Sequence, residues 1–481
     1  MTLSSRITLC FLGALAPLMV DAVASAQQAP AGKVSGDNQR KEIGITVYND
    51  GFGLVREVRD LGDLGQGRVA LEFRDVASLI EPQTVAIKAL GGGRLNVLEQ
   101  NYRYDLLTPA KLLEKYVGKK VKVYRYNQHT GKEDVFDAEV LSVAEGNTVM
   151  RINGEVTYNF GGRIAFPDVP VNLIAKPTLV WMLDSGQPKQ TVEVTYLSHG
   201  MNWHSDYVFV INENDTGGDL QGWVTLQNTT GASYENAKLK LVAGNVQRVQ
   251  PPMGGATLDA AAAPTAPAPR EFKEEGFFEY HLYTLNEPTT LLQNEQKQVT
   301  LMSAQDVHTD KRLIFFGQPY YYRGKYGQVM SNQKVGVYLD IQNNQQNHLG
   351  MALPKGVVRV YKADKSGAKQ FIGEDQIDHT PRDEKVRIKM GEAFDVVGDR
   401  KQMSWTALGS CTSESEWEIS LRNHKDVVEE VEDVEPIGGD WQMLSESHPH
   451  TKKDAFTFTY TVKVPARGET KIKYRVRVRW C

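Results

Sequence analysis

Three observations predict an all-β chain. Apolar residues recur at every second position, glycines punctuate the short apolar runs, and only one stretch carries a convincing helix signal. The expected architecture is multidomain β-sandwiches with a small barrel that carries one short helix. The clearest alternation closes the chain. Phe456, Phe458, Tyr460, Val462 and Val464 alternate with Thr457, Thr459, Thr461 and Lys463. After Pro465-Ala466-Arg467-Gly468-Glu469, Ile472, Tyr474, Val476, Val478 and Trp480 alternate with Lys473, Arg475, Arg477 and Arg479. Successive strand side chains point to opposite faces, so each run buries one face. Setting Val464 opposite Ile472 places Phe456 opposite Trp480, and an antiparallel hairpin with five apolar pairs on one face is expected.

The N-terminus reads as a signal peptide over residues 1–26. Arg6 precedes an apolar run from Ile7 to Val20, too short for a comfortable bilayer span, and Ala24-Ser25-Ala26 supplies the small-x-small cleavage pattern ahead of Gln27. The alternatives are an uncleaved anchor and a lipoprotein; Cys10 lies inside the run and Ile7-Thr8-Leu9 lacks the small residues of a lipobox. Loss of Arg6 and Asp21 together leaves the net charge at −4, which gives no argument for nucleic acid or a strongly anionic polymer. No later segment has the ~18 apolar residues of a membrane helix, so no transmembrane span remains after cleavage.

The mature chain suggests roughly three domains. Residues 27–42 read as a disordered leader. Strands from Ile43 onward, broken by Asn49-Asp50-Gly51 and Gly91-Gly92-Gly93, form an N-terminal β domain over 43–106. In 107–168, Thr108 is an N-cap candidate, Pro109 suits the first helical position and Gly118 the exit. Leu112, Leu113, Tyr116 and Val117 make the helix face, and five short strands follow. This stretch resembles an Sm-like barrel in its Leu112-Leu113…Gly118-Lys119-Lys120-Val121 opening, hence an Sm/SH3-like barrel geometry is expected. It departs at Asn147 and Gly162-Arg163, where nucleic-acid binding would sit, so no RNA site is carried over. A central β domain spans 169–333, interrupted by an Ala/Pro-rich flexible loop over 251–271. A C-terminal β-sandwich occupies 334–481.

Cys10 leaves with the signal, so Cys411 and Cys481 remain as a pair in a chain bound for an oxidising compartment. A structural disulfide between them is expected. It closes a loop of about 70 residues, worth on the order of 4 kcal/mol by chain entropy. A nucleophile or metal thiolate is the alternative, with no further cysteine nearby to complete a metal site.

No His-Glu-x-x-His, Gly-x-Ser-x-Gly, P-loop or dinucleotide fingerprint occurs, and no cofactor is implied. Ser331…Lys334 and Ser366…Lys369 match Ser-x-x-Lys without opening a helix. His199, His204 and Asp206 cluster beside Ser198 and Ser205. They could form a triad fragment or metal site, or simply a strand end anchored by Trp203 and Tyr207. His448-Pro449-His450 could bind a metal weakly or mark a loop. Lys471, Lys473, Arg475, Arg477 and Arg479 form a basic ladder. It is a candidate contact for an anionic surface, or a solvated sheet face balanced in part by the acidic run Glu429-Glu430-Val431-Glu432-Asp433.

Several stretches together resemble an exported bacterial family, the domain of unknown function 4139. They include Val47-Tyr48-Asn49-Asp50-Gly51-Phe52, Glu99-Gln100-Asn101-Tyr102, Pro177-Thr178-Leu179-Val180-Trp181, Met201-Asn202-Trp203, Gly222-Trp223-Val224-Thr225-Leu226 and Leu241-Val242-Ala243-Gly244-Asn245-Val246. The resemblance implies an exported, strand-rich protein and transfers no catalytic motif. The function expected from these features is a non-enzymatic cell-envelope protein, periplasmic or extracellular. It would be a scaffold or adhesion-like module that binds a protein or glycan partner. A hydrolase acting on an envelope polymer is the alternative, since two carboxylates brought together by a fold suffice for a glycosidase.

Overall fold

The computed structural model describes residues 32–144, 147–170, 172–248 and 272–481. The signal-peptide reading and the Ala/Pro-rich loop 251–271 fall outside the described residues. Within them the protein is predominantly β, with several sheets and one α-helix, as the alternation predicts. No described helix is long and apolar enough to cross a membrane.

Three sheets enclose one large core. A four-stranded sheet runs Lys33–Ser35, Gly67–Arg74, Thr178–Ser185, Leu95–Arg103. An eight-stranded sheet centres on Tyr234–Ala243, Arg40–Tyr48, Phe52–Leu61 and Gln190–His199. A five-stranded sheet runs Glu295–His308, Gly217–Asn228, Met201–Ile211, Gly356–Ala363, Lys369–Ile377. Their apolar faces meet in a cluster reaching from Ile43 through Trp181, Trp203 and Tyr207 to Ile388.

This pairing corrects the expected boundaries. The stretches 43–106 and 169–333 are not separate units. Thr178–Ser185 is flanked by Gly67–Arg74 and Leu95–Arg103, and Tyr234–Ala243 lies parallel to Arg40–Tyr48. Period-two patterning fixes which face of a strand is buried but not which strand lies beside it. The leader is also ordered from Lys33. That strand pairs in parallel with Gly67–Arg74, and Arg59 Nη1 donates to the Ser35 carbonyl (3.0 Å).

The stretch 107–168 is inserted between Leu95–Arg103 and Thr178–Ser185. Its neck is tied by Leu107 N–H to Ile174 O (2.8 Å) and Ile174 N–H to Asp105 O (3.1 Å). The helix Pro109–Lys115 starts as expected, with Thr108 Oγ1 accepting from Lys111 N–H (3.2 Å). The five strands form one antiparallel sheet with Lys120–Asn127 and Lys132–Ala144 at its centre. Val121, Val123, Ala138 and Val140 share a separate small core, with Leu112 packed against it.

A nine-stranded sheet builds the last unit around a second core that includes Trp417, Tyr474 and Phe458. The boundary at 334 falls inside the strand Gln328–Gln342, which with Lys385–Ala407 runs through both cores. Leu339, Ile341, Val386 and Ile388 belong to the first; Val335, Ala393 and Val396 belong to the second. The expected terminal hairpin is not formed. Thr457–Val464 pairs with Glu429–Pro436 and Thr451–Asp454, whereas Gly468–Arg479 pairs with Thr412–Asn423 and Asp440–Glu446. The two runs instead face each other across the core, with Phe458 and Tyr460 each ring to ring with Tyr474 (5.5 and 5.6 Å). Phe456 is 59% exposed. Apart from Phe456, the alternation names the buried faces; the turn at Pro465–Gly468 joins two non-adjacent strands of the nine-stranded sheet that face each other across its core.

Candidate functional site

The fold disperses the residues that could have formed a catalytic centre. On the strand Met201–Ile211, His204 Nε2 lies 3.2 Å from Asp206 Oδ2, so the expected shared face is present. Asp206 is also held by Arg359 Nη1 (2.9 Å) and Thr225 Oγ1 (3.0 Å). Burial alone would raise this carboxyl, but the bonds from His204, Arg359 and Thr225 outweigh it and lower it to about 2. Ser205 points to the opposite, buried face. His199 has a different partner, Glu81 (3.1 Å), which Arg248 grips through both oxygens at 2.7 Å. Ser198 Oγ donates to the His199 carbonyl (3.0 Å). No nucleophile–base–acid chain is assembled by these residues.

His450 Nδ1 is 2.7 Å from Glu446 and its ring packs on Trp441 and Phe458, while His448 pairs with Ser447. Among the described residues no three His, Cys, Asp or Glu side chains converge as metal ligands. Ser366 Oγ bonds Asp364 (2.5 Å), and both Ser331 and Lys334 lie within the strand Gln328–Gln342.

The basic ladder is placed on the outward face of Gly468–Arg479, and every member has a carboxylate partner. Lys471 and Lys473 meet Glu418 (4.0 and 3.0 Å), Arg475 and Arg477 share Glu414 (2.5 and 2.6 Å), and Arg479 meets Asp440 (3.0 Å). The arginine bonds hold Glu414 below the usual carboxylate range. The balancing acids thus come from the neighbouring strands, not from Glu429–Asp433. In that run, Glu429 pairs Lys425 and Glu432 pairs Lys453.

Two charge clusters sit inside the cores. Arg59, Glu57 and Tyr196 are buried in the first; Arg400, Asp433, Glu435, Tyr322 and Tyr474 are buried in the second. Arg400 Nη2 donates to Asp433 Oδ1 (2.8 Å) and to Glu435 Oε1, and Tyr322 OH donates to Glu435 Oε2 (2.6 Å). Burial, then the Glu435 charge, pushes Asp433 well above the usual carboxylate range. No charged member has access to solvent, so this acid pair is internal structure. Period two could have found it, because Asp433 and Glu435 share the face of Val431.

The surface feature that sequence reading missed is Pro319-Tyr320-Tyr321-Tyr322-Arg323-Gly324-Lys325-Tyr326. Pro319–Arg323 forms a 3-10 turn whose Tyr321 and Tyr322 are buried against Trp417. The buried Gln402 clamps the adjoining Gly324–Tyr326 segment: its Nε2 donates to Gly324 O (3.0 Å) and its Oε1 accepts from Tyr326 N–H (2.6 Å). Tyr320 is left 50% exposed, edge-on to Tyr326 (6.1 Å). The Arg323 guanidinium covers Trp480 (5.1 Å), a residue packed against Gly438 and Gly439. The expected disulfide fixes this corner. Cys411 and Cys481 are bonded with Cα atoms 5.7 Å apart, and Trp480 N–H donates to Cys411 O (2.8 Å). A dense aromatic–cation run in the sequence was the available signal.

The larger grooves are differently built. Two adjoining ones, of about 710 and 450 Å³, share Asp37, Asp75 and Lys176 and have no aromatic in their walls. A third, of about 330 Å³, lies where the two cores meet. Phe394 is its one aromatic, and Lys311 and Lys362 both bind its Asp215. Glu392 and Asp395 flank Phe394 in the wall of this third groove, whereas the first two grooves hold acids without any aromatic. No family model matches the chain, and no curated protein matches it.

Proposed function

We propose that the protein is an exported cell-envelope component of the periplasm or cell surface. It acts as a non-enzymatic scaffold or adhesion-like module that binds a protein or glycan partner. The observation that carries this reading is the rigid, half-exposed aromatic–cation corner of Tyr320, Arg323, Tyr326 and Trp480, secured by a disulfide. Preorganised aromatic surface suits recognition, because little side-chain freedom is lost on binding. A disulfide also suits an oxidising compartment. Kinship with the domain of unknown function 4139, and an Sm/SH3-like barrel over 107–168, are part of the same proposal. The first rests on the shared aromatic and glycine stretches, the second on the helix followed by five strands.

The hydrolase alternative draws less support, since two of the acid-bearing grooves have no aromatic and the third has Phe394 alone, with its Asp215 already bound by Lys311 and Lys362. The test has two arms. N-terminal sequencing of protein recovered from its host should begin at Gln27; an intact Met1 on the folded product would overturn export. The mature protein should then sediment with isolated envelopes and release no sugar from them.

A further inference from the structure

We infer that the corner formed by Tyr320, Arg323, Lys325, Tyr326 and Trp480 binds an acidic polysaccharide, a glycan whose sugars carry carboxylates. The inference rests on the binding function proposed above and assigns its ligand class. Two features combine. First, Arg323 and Lys325 have no carboxylate partner among the described side chains, unlike the neutralised ladder of Lys471 to Arg479. A cation pair with no carboxylate of its own, set beside exposed aromatic rings, attracts an anion. Second, the cations alternate with aromatic rings whose hydroxyl or indole N–H gives an apolar body a polar tip. A sugar ring offers the matching pair of surfaces, with C–H groups to lie on an aromatic and hydroxyls at its rim, and a uronic acid adds the carboxylate for the guanidinium.

The corner is also fixed before any ligand arrives. Tyr321 and Tyr322 anchor it from below, Gln402 holds both ends of the Gly324–Tyr326 segment, and the disulfide ties Cys481, next to Trp480, to Cys411. Single-stranded nucleic acid also uses stacking rings and cations, but it calls for a basic groove that tracks many phosphates. Two cations on a chain of net charge −4 do not supply one.

The test is calorimetric titration of the full mature chain with a tetramer of galacturonic acid, with maltotetraose as the neutral counterpart and an oligothymidylate as the nucleic-acid arm. The acidic tetramer should bind about tenfold or more tightly than maltotetraose, with the preference shrinking as salt is raised. Tyr320→Ala and Arg323→Ala should each weaken it about tenfold without moving the melting temperature. Lys325→Glu, at a side chain with no packing role, should weaken it as well. Equal affinity for the neutral sugar, tighter binding of the oligothymidylate, or indifference to all three substitutions would overturn the inference. Envelope sedimentation that persists without tetramer binding would overturn this ligand class alone; loss of sedimentation too would remove the wider reading.

Discussion

Arg59 and Arg400 occupy equivalent situations in different cores, each a fully buried guanidinium lying over a phenylalanine ring, Phe73 and Phe315 respectively. Their surroundings are opposite in charge. Around Arg59 the cations are in excess. Glu57 Oε2 accepts from Arg59 Nε and Nη2 (3.0 and 2.7 Å) and from Arg40 Nε (3.0 Å), and Tyr196 OH donates to Oε1 (3.3 Å). Arg59 Nη1 is satisfied by the carbonyls of Ser35 and Arg74. Around Arg400 the acids are in excess. Arg400 Nε and Asp433 Oδ2 are buried without partners, and Tyr322 and Tyr474 bond each other (2.7 Å) beside Glu435. A proton on Asp433, donated to Glu435, removes the like-charge conflict and satisfies the orphan oxygen. Backbone carbonyls complete the first cluster; in the second, where Arg400 Nη1 reaches one carbonyl (Phe316, 3.2 Å), burial and the Glu435 charge favour the protonated form of Asp433.

The largest expected effect comes from removing each arginine. Arg400→Met leaves two carboxyls with no cation in a dry core, and the loss should be on the order of 3–5 kcal/mol. Arg59→Met leaves Glu57 still paired with the partly exposed Arg40, so the loss should be smaller by at least about 1 kcal/mol. Hydrogen exchange of the strands around each cluster measures both. Equal losses would dissolve the distinction between the two clusters.

Asp433→Asn sharpens it further. The folded-state pKa of Asp433 is raised above the unfolded 3.8, so its stabilising contribution is complete below pH 3.8 and is lost as pH rises toward the folded value. Asparagine keeps the neutral form at every pH. The variant should therefore gain on the wild type by up to about 1.4 kcal/mol per pH unit between pH 5 and 8. Parallel melting-temperature profiles for the two proteins would rule out the captured proton.

A smaller effect confined to the second core should follow Cys411→Ser. Closing a loop of 70 residues is worth on the order of 2–4 kcal/mol, and both cysteines lie beside strands of the nine-stranded sheet. Exchange should rise around Arg400 and not around Arg59. Labelling of the denatured, unreduced wild type should find no free thiol; two free thiols would refute the bond.

Much of this architecture was legible in the sequence, within a definable limit. The helix cap at Thr108, the small core of Val121, Val123 and Val140, the inward faces of Phe458 to Val464 and Ile472 to Val478, and the Cys411–Cys481 bond all follow from local pattern or from counting. Strand neighbours do not. Nothing local says that Tyr234–Ala243 lies beside Arg40–Tyr48, or that Pro465–Gly468 turns the chain across the sandwich. The candidate binding corner was missed for the same reason. Tyr320 and Trp480 are far apart in sequence, and the buried tyrosines, the Gln402 clamp, the disulfide and the Arg323–Trp480 contact that bring them together are all non-local.

The smallest effect contrasts the two cores in their response to acid. Asp206, on the outer face of the first unit, has a folded pKa of about 2, below the unfolded 3.8. Its contribution is present above pH 3.8 and is lost as pH falls toward 2, the reverse of Asp433. The carboxylate is half-buried between His204, Arg359 and Thr225, so solvent screening trims the linkage value to on the order of 1–2 kcal/mol. Asp206→Asn should cost that much at pH 7 and almost nothing at pH 2. The first unit should then weaken with acid through this residue while the second weakens with base through Asp433. Calorimetry of the single variants across pH 2 to 8 separates the two slopes. An Asp206→Asn penalty that is the same at pH 2 and pH 7 would show that packing, rather than the charge held by Arg359, gives this residue its weight.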